Sequence, residues 1–224
     1  MQEFIVLEDI HKTYGKGENA FEALKGVSLE IQQGEFIALM GPSGSGKSSL
    51  ANILGTLDIG TRGQYRFCGV SVFDLTQNQR ALLRRNYIGF IFQGFNLLAR
   101  TTALENVELP LMYRGIKKDK RKEIALQALE RVGLREWADH TSAKLSGGQQ
   151  QRVAIARAIA SKPLFLLADE PTGNLDTKRS VEIMEILCEL NTELGITILM
   201  VTHEPDMARY ASKEIHCLDG KLVV

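Results

Sequence analysis

The sequence predicts an α/β fold with a parallel-sheet core, an antiparallel β layer from the N-terminal part and an inserted helical subdomain at residues 94–160. Three observations carry this expectation. Short apolar runs at 36–40, 164–168 and 196–201 have the length of strands buried on both faces. Val27-Ser28-Leu29-Glu30-Ile31 alternates with period two, as a half-exposed strand of another sheet should. Residues 118–132 are rich in Lys, Glu, Ala, Leu and Gln, with a helical stripe at Ile124, Leu126, Leu129 and Val132.

The elements follow in order. Phe4-Ile5-Val6-Leu7 reads as a first strand, and the turn Gln33-Gly34-Glu35 leads into the run at 36–40. A glycine-rich loop comes next, and Ser49 to Leu54 continues with helical character. Residues 80–85 suggest a short basic helix. Beyond Gln93 the apolar stretch 104–112 opens the insertion, and the charged run 117–122 reads as the solvated start of its next helix. Val153 to Ile159 lie in another helix. A last long helix at 180–194 has Val181, Met184 and Leu187 on its apolar stripe. The 224 residues suit one domain, with 1–93 and 161–224 forming the core and 94–160 the helical part.

Lys+Arg and Asp+Glu both number 27, so no overall field draws the chain to nucleic acid, and no nucleic-acid partner is expected. Cys68, Cys188 and Cys217 have neither disulfide-framework nor zinc spacing, and are expected to be three partly buried thiols in a reducing compartment. Met1 to Ile5 lack the features of a signal peptide, and no apolar run approaches the ~20 residues needed to span a bilayer. A membrane would have to be crossed by another polypeptide.

Gly41-Pro42-Ser43-Gly44-Ser45-Gly46-Lys47-Ser48 fits the Walker A pattern of P-loop NTPases, in the strand–loop–helix context that the motif requires. Glycines at 41, 44 and 46 let several backbone N–H groups face one phosphate, with a helix N-terminus behind them. Lys47 is expected at the β- and γ-phosphates of a nucleoside triphosphate and the Ser48 hydroxyl on Mg²⁺. Ser43, Ser45 and Ser49 complete the expected nucleotide-binding stretch. Asp169, at the end of an apolar strand, calls for a cation, and Mg²⁺ would supply it. Glu170 is then placed to act as general base or to orient the attacking water. A second glycine loop, Leu145-Ser146-Gly147-Gly148-Gln149, also precedes a helix and so makes a second anion-binding terminus.

Together these motifs resemble, in order and over the whole chain, the ATP-binding subunits of ABC transporters. The resemblance implies that Tyr14 stacks on adenine, although a packing role for it stays open. It implies that Gln93 senses Mg²⁺ and the attacking water, and that His203 contacts the γ-phosphate. Ser146, Gly147, Gly148 and Gln149 would close on ATP held by a second copy of the chain, packed head-to-tail, with Asp176 of Asn174-Leu175-Asp176 communicating across the dimer. The implied partner is an integral membrane permease or permease-like subunit, served from the cytoplasmic face of the membrane. Phe95-Asn96-Leu97-Leu98 and Gly173-Asn174-Leu175-Asp176 bring the chain nearest to the lipoprotein-releasing and macrolide-efflux group. The sequence ends soon after Leu222, and no regulatory C-terminal domain is expected. A related cassette that signals to a cell-division or cell-wall-hydrolase membrane partner is the alternative. A P-loop kinase leaves residues 146–149 without a purpose.

Overall fold

The computed structural model describes residues 4–223; Met1, Gln2 and Glu3, which open the N-terminal reading, lie outside them. The chain begins with β1 (Ile5–Tyr14), β2 (Phe21–Ile31) and β3 (Phe36–Met40), then α1 (Lys47–Leu54). Next come β4 (Arg62–Phe67), β5 (Val70–Ser71), α2 (Gln77–Tyr87) and β6 (Ile88–Phe92). Helices α3 (Ala103–Tyr113), α4 (Lys118–Arg131) and α5 (Gly147–Ala160) follow. The chain closes with β7 (Phe165–Asp169), α6 (Thr177–Leu194), β8 (Thr197–Val201), α7 (Pro205–Ala208), β9 (Lys213–Leu218) and β10 (Lys221–Val223).

Two sheets form. The antiparallel one has the order β2-β1-β4-β5, and the larger one runs β10-β9-β3-β8-β7-β6. All neighbours in the larger sheet are parallel except the edge pair β9–β10. The fold is that of a P-loop NTPase.

Side-chain alternation divides the core. Phe36, Ala38 and Met40 of β3 face one cluster with residues of α3–α6, while Ile37 and Leu39 face the other with α1 and the antiparallel sheet. Each central strand is therefore covered on both sides, which explains its continuous apolar sequence. α1 lies between the two sheets, with Leu50, Ile53 and Leu54 fully buried. α3, α4 and α5 pack on one another, and their core runs into the sheet face below without a break.

The structure corrects several local expectations. The first strand continues from Leu7 to Tyr14 because β2 and β4 pair with it along most of that length. α2 begins at Gln77, where Thr76 and Gln79 make a reciprocal capping box. α6 begins at Thr177, capped by Asp176, and its buried row is Ser180, Ile183, Met184, Leu187 and Leu190, with Val181 only half-buried. On α4, Ala125, Ala128 and Leu129 are buried while Ile124 and Leu126 sit half-buried at the rim. The cysteines differ from one another: Cys68 is exposed, Cys188 intermediate and Cys217 buried. Cys68 stands at φ 49 beside the turn between β4 and β5, outside any core.

Candidate nucleotide site

The C-terminal ends of β3, β7 and β8 lie side by side, and the loops leaving them build one cleft. Walker A leaves β3 and enters α1, whose first residue is Lys47. Gly41 has φ 144, and a Cβ there would collide with the carbonyl oxygen of Cys217, so the loop needs glycine at this point. The far side of the loop is pinned from β9 and β10: Cys217 Sγ and the Gly220 N–H both donate to the Ser45 carbonyl, at 3.0 and 2.8 Å. Lys47 Nζ donates to the carbonyls of Gly41 and Pro42 at 2.7 and 2.8 Å, which holds its ammonium over the loop.

The cleft has a volume of about 310 Å³ and gathers residues distant in sequence. Ser43, Gly44, Gly46, Lys47, Ser48 and Ser49 form its floor, with Asp169, Glu170 and His203 on one side and Tyr14 and Phe21 on another. Gly41 and Ser45 stand behind this surface; Ser45 is 3% exposed and its hydroxyl makes no hydrogen bond among the described residues. Burial first, then the neighbouring Glu170 charge, push the Asp169 carboxyl up, and Lys47 acts in the opposite direction. Glu170 takes φ 46 just past β7, where its N–H donates to the Val201 carbonyl. That turn brings Glu170 Oε1 within 3.0 Å of His203 Nδ1.

Tyr14 is the last residue of β1 and pairs across the sheet with Phe21, the first of β2. The two exposed aromatics thereby form a wall of the cleft, and Phe21 escaped the sequence reading because an isolated Phe before a strand carries no motif.

Gln93, Ser146 to Gln149 and Asp176 are not among the cleft-lining residues. Gln93 follows β6, and its side chain lies against Gly173, where any Cβ would strike it. Asn174 Nδ2 donates to its carbonyl at 2.8 Å. Ser146 caps α5 in a reciprocal box with Gln149, so Gly147, Gly148 and Gln149 make up the first turn. Gly147 and Gly148 approach Leu175 and Arg179, beside Asp176. The second glycine loop and the Asp176 turn thus share a surface. Gln151 is a further residue that the motifs did not single out. It is fully buried on α5 and its Nε2 donates to the Pro171 carbonyl at 2.6 Å, tying the helix to the loop after Glu170.

Residues 24–173 match the family model described as "ABC transporter". The chain belongs to the ABC transporter family. It is 55% identical over 217 residues, 97% of its length, to the macrolide export ATP-binding/permease protein MacB of Chlorobium luteolum, covering 32% of that protein. It therefore spans about a third of the length of such macrolide-export relatives. It is also 51% identical to the ABC transporter ATP-binding protein MJ1508 of Methanocaldococcus jannaschii, over 98% of this chain and 97% of that one. Among solved structures, the dimeric post-hydrolysis state of the ATP-binding cassette MJ0796, bound to ADP and Pi, superposes with a TM-score of 0.90 at 44% identity. That match covers 99% of this chain and 97% of the other. The chain is an ATP-binding and ATP-hydrolysing cassette of this family. No helix among its described residues is long and apolar enough to cross a membrane.

Proposed function

We propose that this cassette drives a membrane partner by closing head-to-tail on a second copy of itself around two ATP molecules. One observation carries the reading: the cleft gathers the Walker A loop, Asp169 and Glu170, yet the helix terminus at Ser146–Gln149 lies outside it. A glycine-rich helix N-terminus set apart from its own chain's cleft is explained if it completes the site of a partner copy. The cassette MJ0796, to which the chain is 45% identical over 99% of its length, is dimeric.

Within each site, Tyr14 stacks on adenine, and the loop from Gly41 to Ser49 holds the phosphates, Lys47 at the β- and γ-groups. The oxygens of Ser48 and Asp169 suit a hard divalent ion, so these residues would hold Mg²⁺, which would neutralise developing phosphate charge. Gln93 would add a further oxygen to that set. Glu170 orients water for attack on the γ-phosphorus and takes its proton as the bond to the departing ADP oxygen breaks. His203 holds Glu170 and reaches the γ-phosphate. Asp176, beside the outward-facing terminus, carries the state of one site to the other.

The output runs through Gln93 into the helical part at 94–160. Next to it an apolar groove of about 680 Å³ is lined by Leu57, Phe90, Phe92, Leu109, Pro110 and Tyr113. A cytoplasmic segment of a permease would seat there, in line with the fused ATP-binding/permease composition of the macrolide-export relatives. The cassette then works at the cytoplasmic face of the membrane, in export or lipoprotein extraction. Affinity capture of the tagged chain from detergent-solubilised membranes of its own cells tests this. The expected result is co-purification from membranes and an ATPase rate that changes on assembly. A division factor recovered in place of a permease would overturn the transport reading.

A further inference from the structure

The base end of the cleft contains a group of side chains that the motifs do not account for. Lys12 Nζ stands 4.8 Å from the centroid of the Tyr14 ring, over one of its faces. Its position is fixed twice more, by Asp58 Oδ1 at 2.7 Å and by the Ile59 carbonyl at 2.9 Å. The Tyr14 hydroxyl donates to the other carboxylate oxygen, Asp58 Oδ2, at 3.1 Å and lies 3.4 Å from Ser49 Oγ. One carboxylate therefore holds both the cation and the ring that the cation covers. Asp58 follows α1, so the aromatic at the end of β1 is tied to the helix that carries Walker A. The Lys12 side chain is only 11% exposed, whereas Tyr14 remains 40% exposed. The ring has one face occupied and the rest open to the cleft.

We propose that Lys12 and Asp58 are positioning residues for the nucleotide base: they hold Tyr14 in a fixed stacking pose and, through the Lys12 ammonium on its covered face, strengthen its grip on adenine. The chemistry is that of a quadrupole. An ammonium on one face draws π density toward itself, which makes the opposite face a better partner for an electron-rich purine. Fixing the ring beforehand also removes part of the ordering cost of binding. Asp58 serves both effects, since without it Lys12 would turn to solvent and the hydroxyl would lose its acceptor. This inference rests on Tyr14 being the adenine-stacking residue.

Calorimetric titration of the intact chain with ATP–Mg²⁺ and, separately, with inorganic tripolyphosphate–Mg²⁺ tests it. Lys12→Met should raise the Kd for ATP about threefold to tenfold and leave that for tripolyphosphate unchanged. Lys12→Arg, which keeps a cation over the ring, should restore most of the ATP affinity, and Asp58→Asn should resemble Lys12→Met. Tyr14→Ala separates the two layers of the argument. If it weakens ATP binding while Lys12→Met does not, the positioning role is overturned and stacking stands. If Tyr14→Ala leaves the ATP Kd unchanged, stacking itself fails and the role of Lys12 falls with it. Equal losses for ATP and tripolyphosphate in Lys12→Met would also overturn the proposal, because the effect would then not pass through the base.

Discussion

His203 Nδ1 lies 3.0 Å from Glu170 Oε1, so one side-chain contact joins the loops leaving β7 and β8. A carboxylate can only accept, so Nδ1 carries the hydrogen and Nε2 is left free for another partner. The imidazole is 61% exposed and Glu170 26%, which makes the histidine the more solvent-accessible of the two. Replacing His203 with Ala should free Glu170 to turn away from the attack line. The expected loss in kcat is about 10²-fold, within the range for a misplaced acid–base group, with ATP affinity changed much less. Phosphate release under saturating ATP, alongside calorimetric Kd values, reads both.

Glu170→Gln keeps the shape of the side chain and its contact with His203 but removes the carboxylate proposed as the base. Hydrolysis should fall about 10²–10⁴-fold. ATP should still bind, and the unhydrolysed nucleotide should hold two copies together. Light scattering in ATP–Mg²⁺ should report twice the monomer mass; a persistent monomer would count against closure around ATP.

Ser146 has two tasks, since it caps α5 and presents the outward-facing terminus. Ser146→Ala should cost about 1 kcal/mol of stability through the lost cap. Ser146→Asp keeps a capping oxygen but places a negative charge where a partner's γ-phosphate is proposed to sit. It should melt near the parent temperature and yet lose hydrolysis, with nucleotide binding by the single subunit largely retained. Loss of binding and hydrolysis in equal measure would contradict a contact made in trans.

Gln151 offers a test of stability rather than chemistry. Gln151→Ala removes the bond to the Pro171 carbonyl inside the core and opens a small void. Urea unfolding should show a loss of about 2–3 kcal/mol from the stranded acceptor and lost packing.

Asp58 gives the protein a pH dependence of known sign. Burial raises its carboxyl, but the Lys12 bond, the Ile59 N–H, the Lys12 charge and the Tyr14 hydroxyl outweigh it, and the group ionises below its ordinary value of 3.8. Its contribution is present above that unfolded value and fades as pH falls through the lower folded one. The stability gap between the parent and Asp58→Asn should be full at pH 7 and at pH 5, and should shrink on acidification below 3.8. Urea midpoints across that range check it.

The strands most readable in sequence were those buried on both faces, because β3, β7 and β8 leave no room for polar residues. β6, β9 and β10 were not legible as strands. Ile88–Phe92 contains Gly89, packed against the Ala158 carbonyl, and Lys213–Leu218 mixes Lys213, Glu214 and His216 with the buried Ile215 and Cys217. Pairing with β7 and β3 defines these strands, and pairing is a long-range fact. The site divides in the same way. Walker A, Asp169, Glu170 and His203 are local motifs at strand ends and were visible. Lys12 and Asp58 are 46 residues apart and meet only after β1 and α1 have packed, so no spacing announces them.

The register of three neighbouring strands sets the spacing of the loops that leave them. Phe92, Asp169 and Val201 are paired in a row across β6, β7 and β8, so Gln93, Glu170 and His203 each begin one or two residues beyond the same line. A strand cannot creep by a fraction of a residue; a slip of one step would turn every side chain to the wrong face. The offsets between these three residues are therefore set in whole-residue units by the sheet. Substitutions elsewhere can change how the loops are packed, but they act on a fixed graduation and leave the whole-residue spacing of these three positions intact.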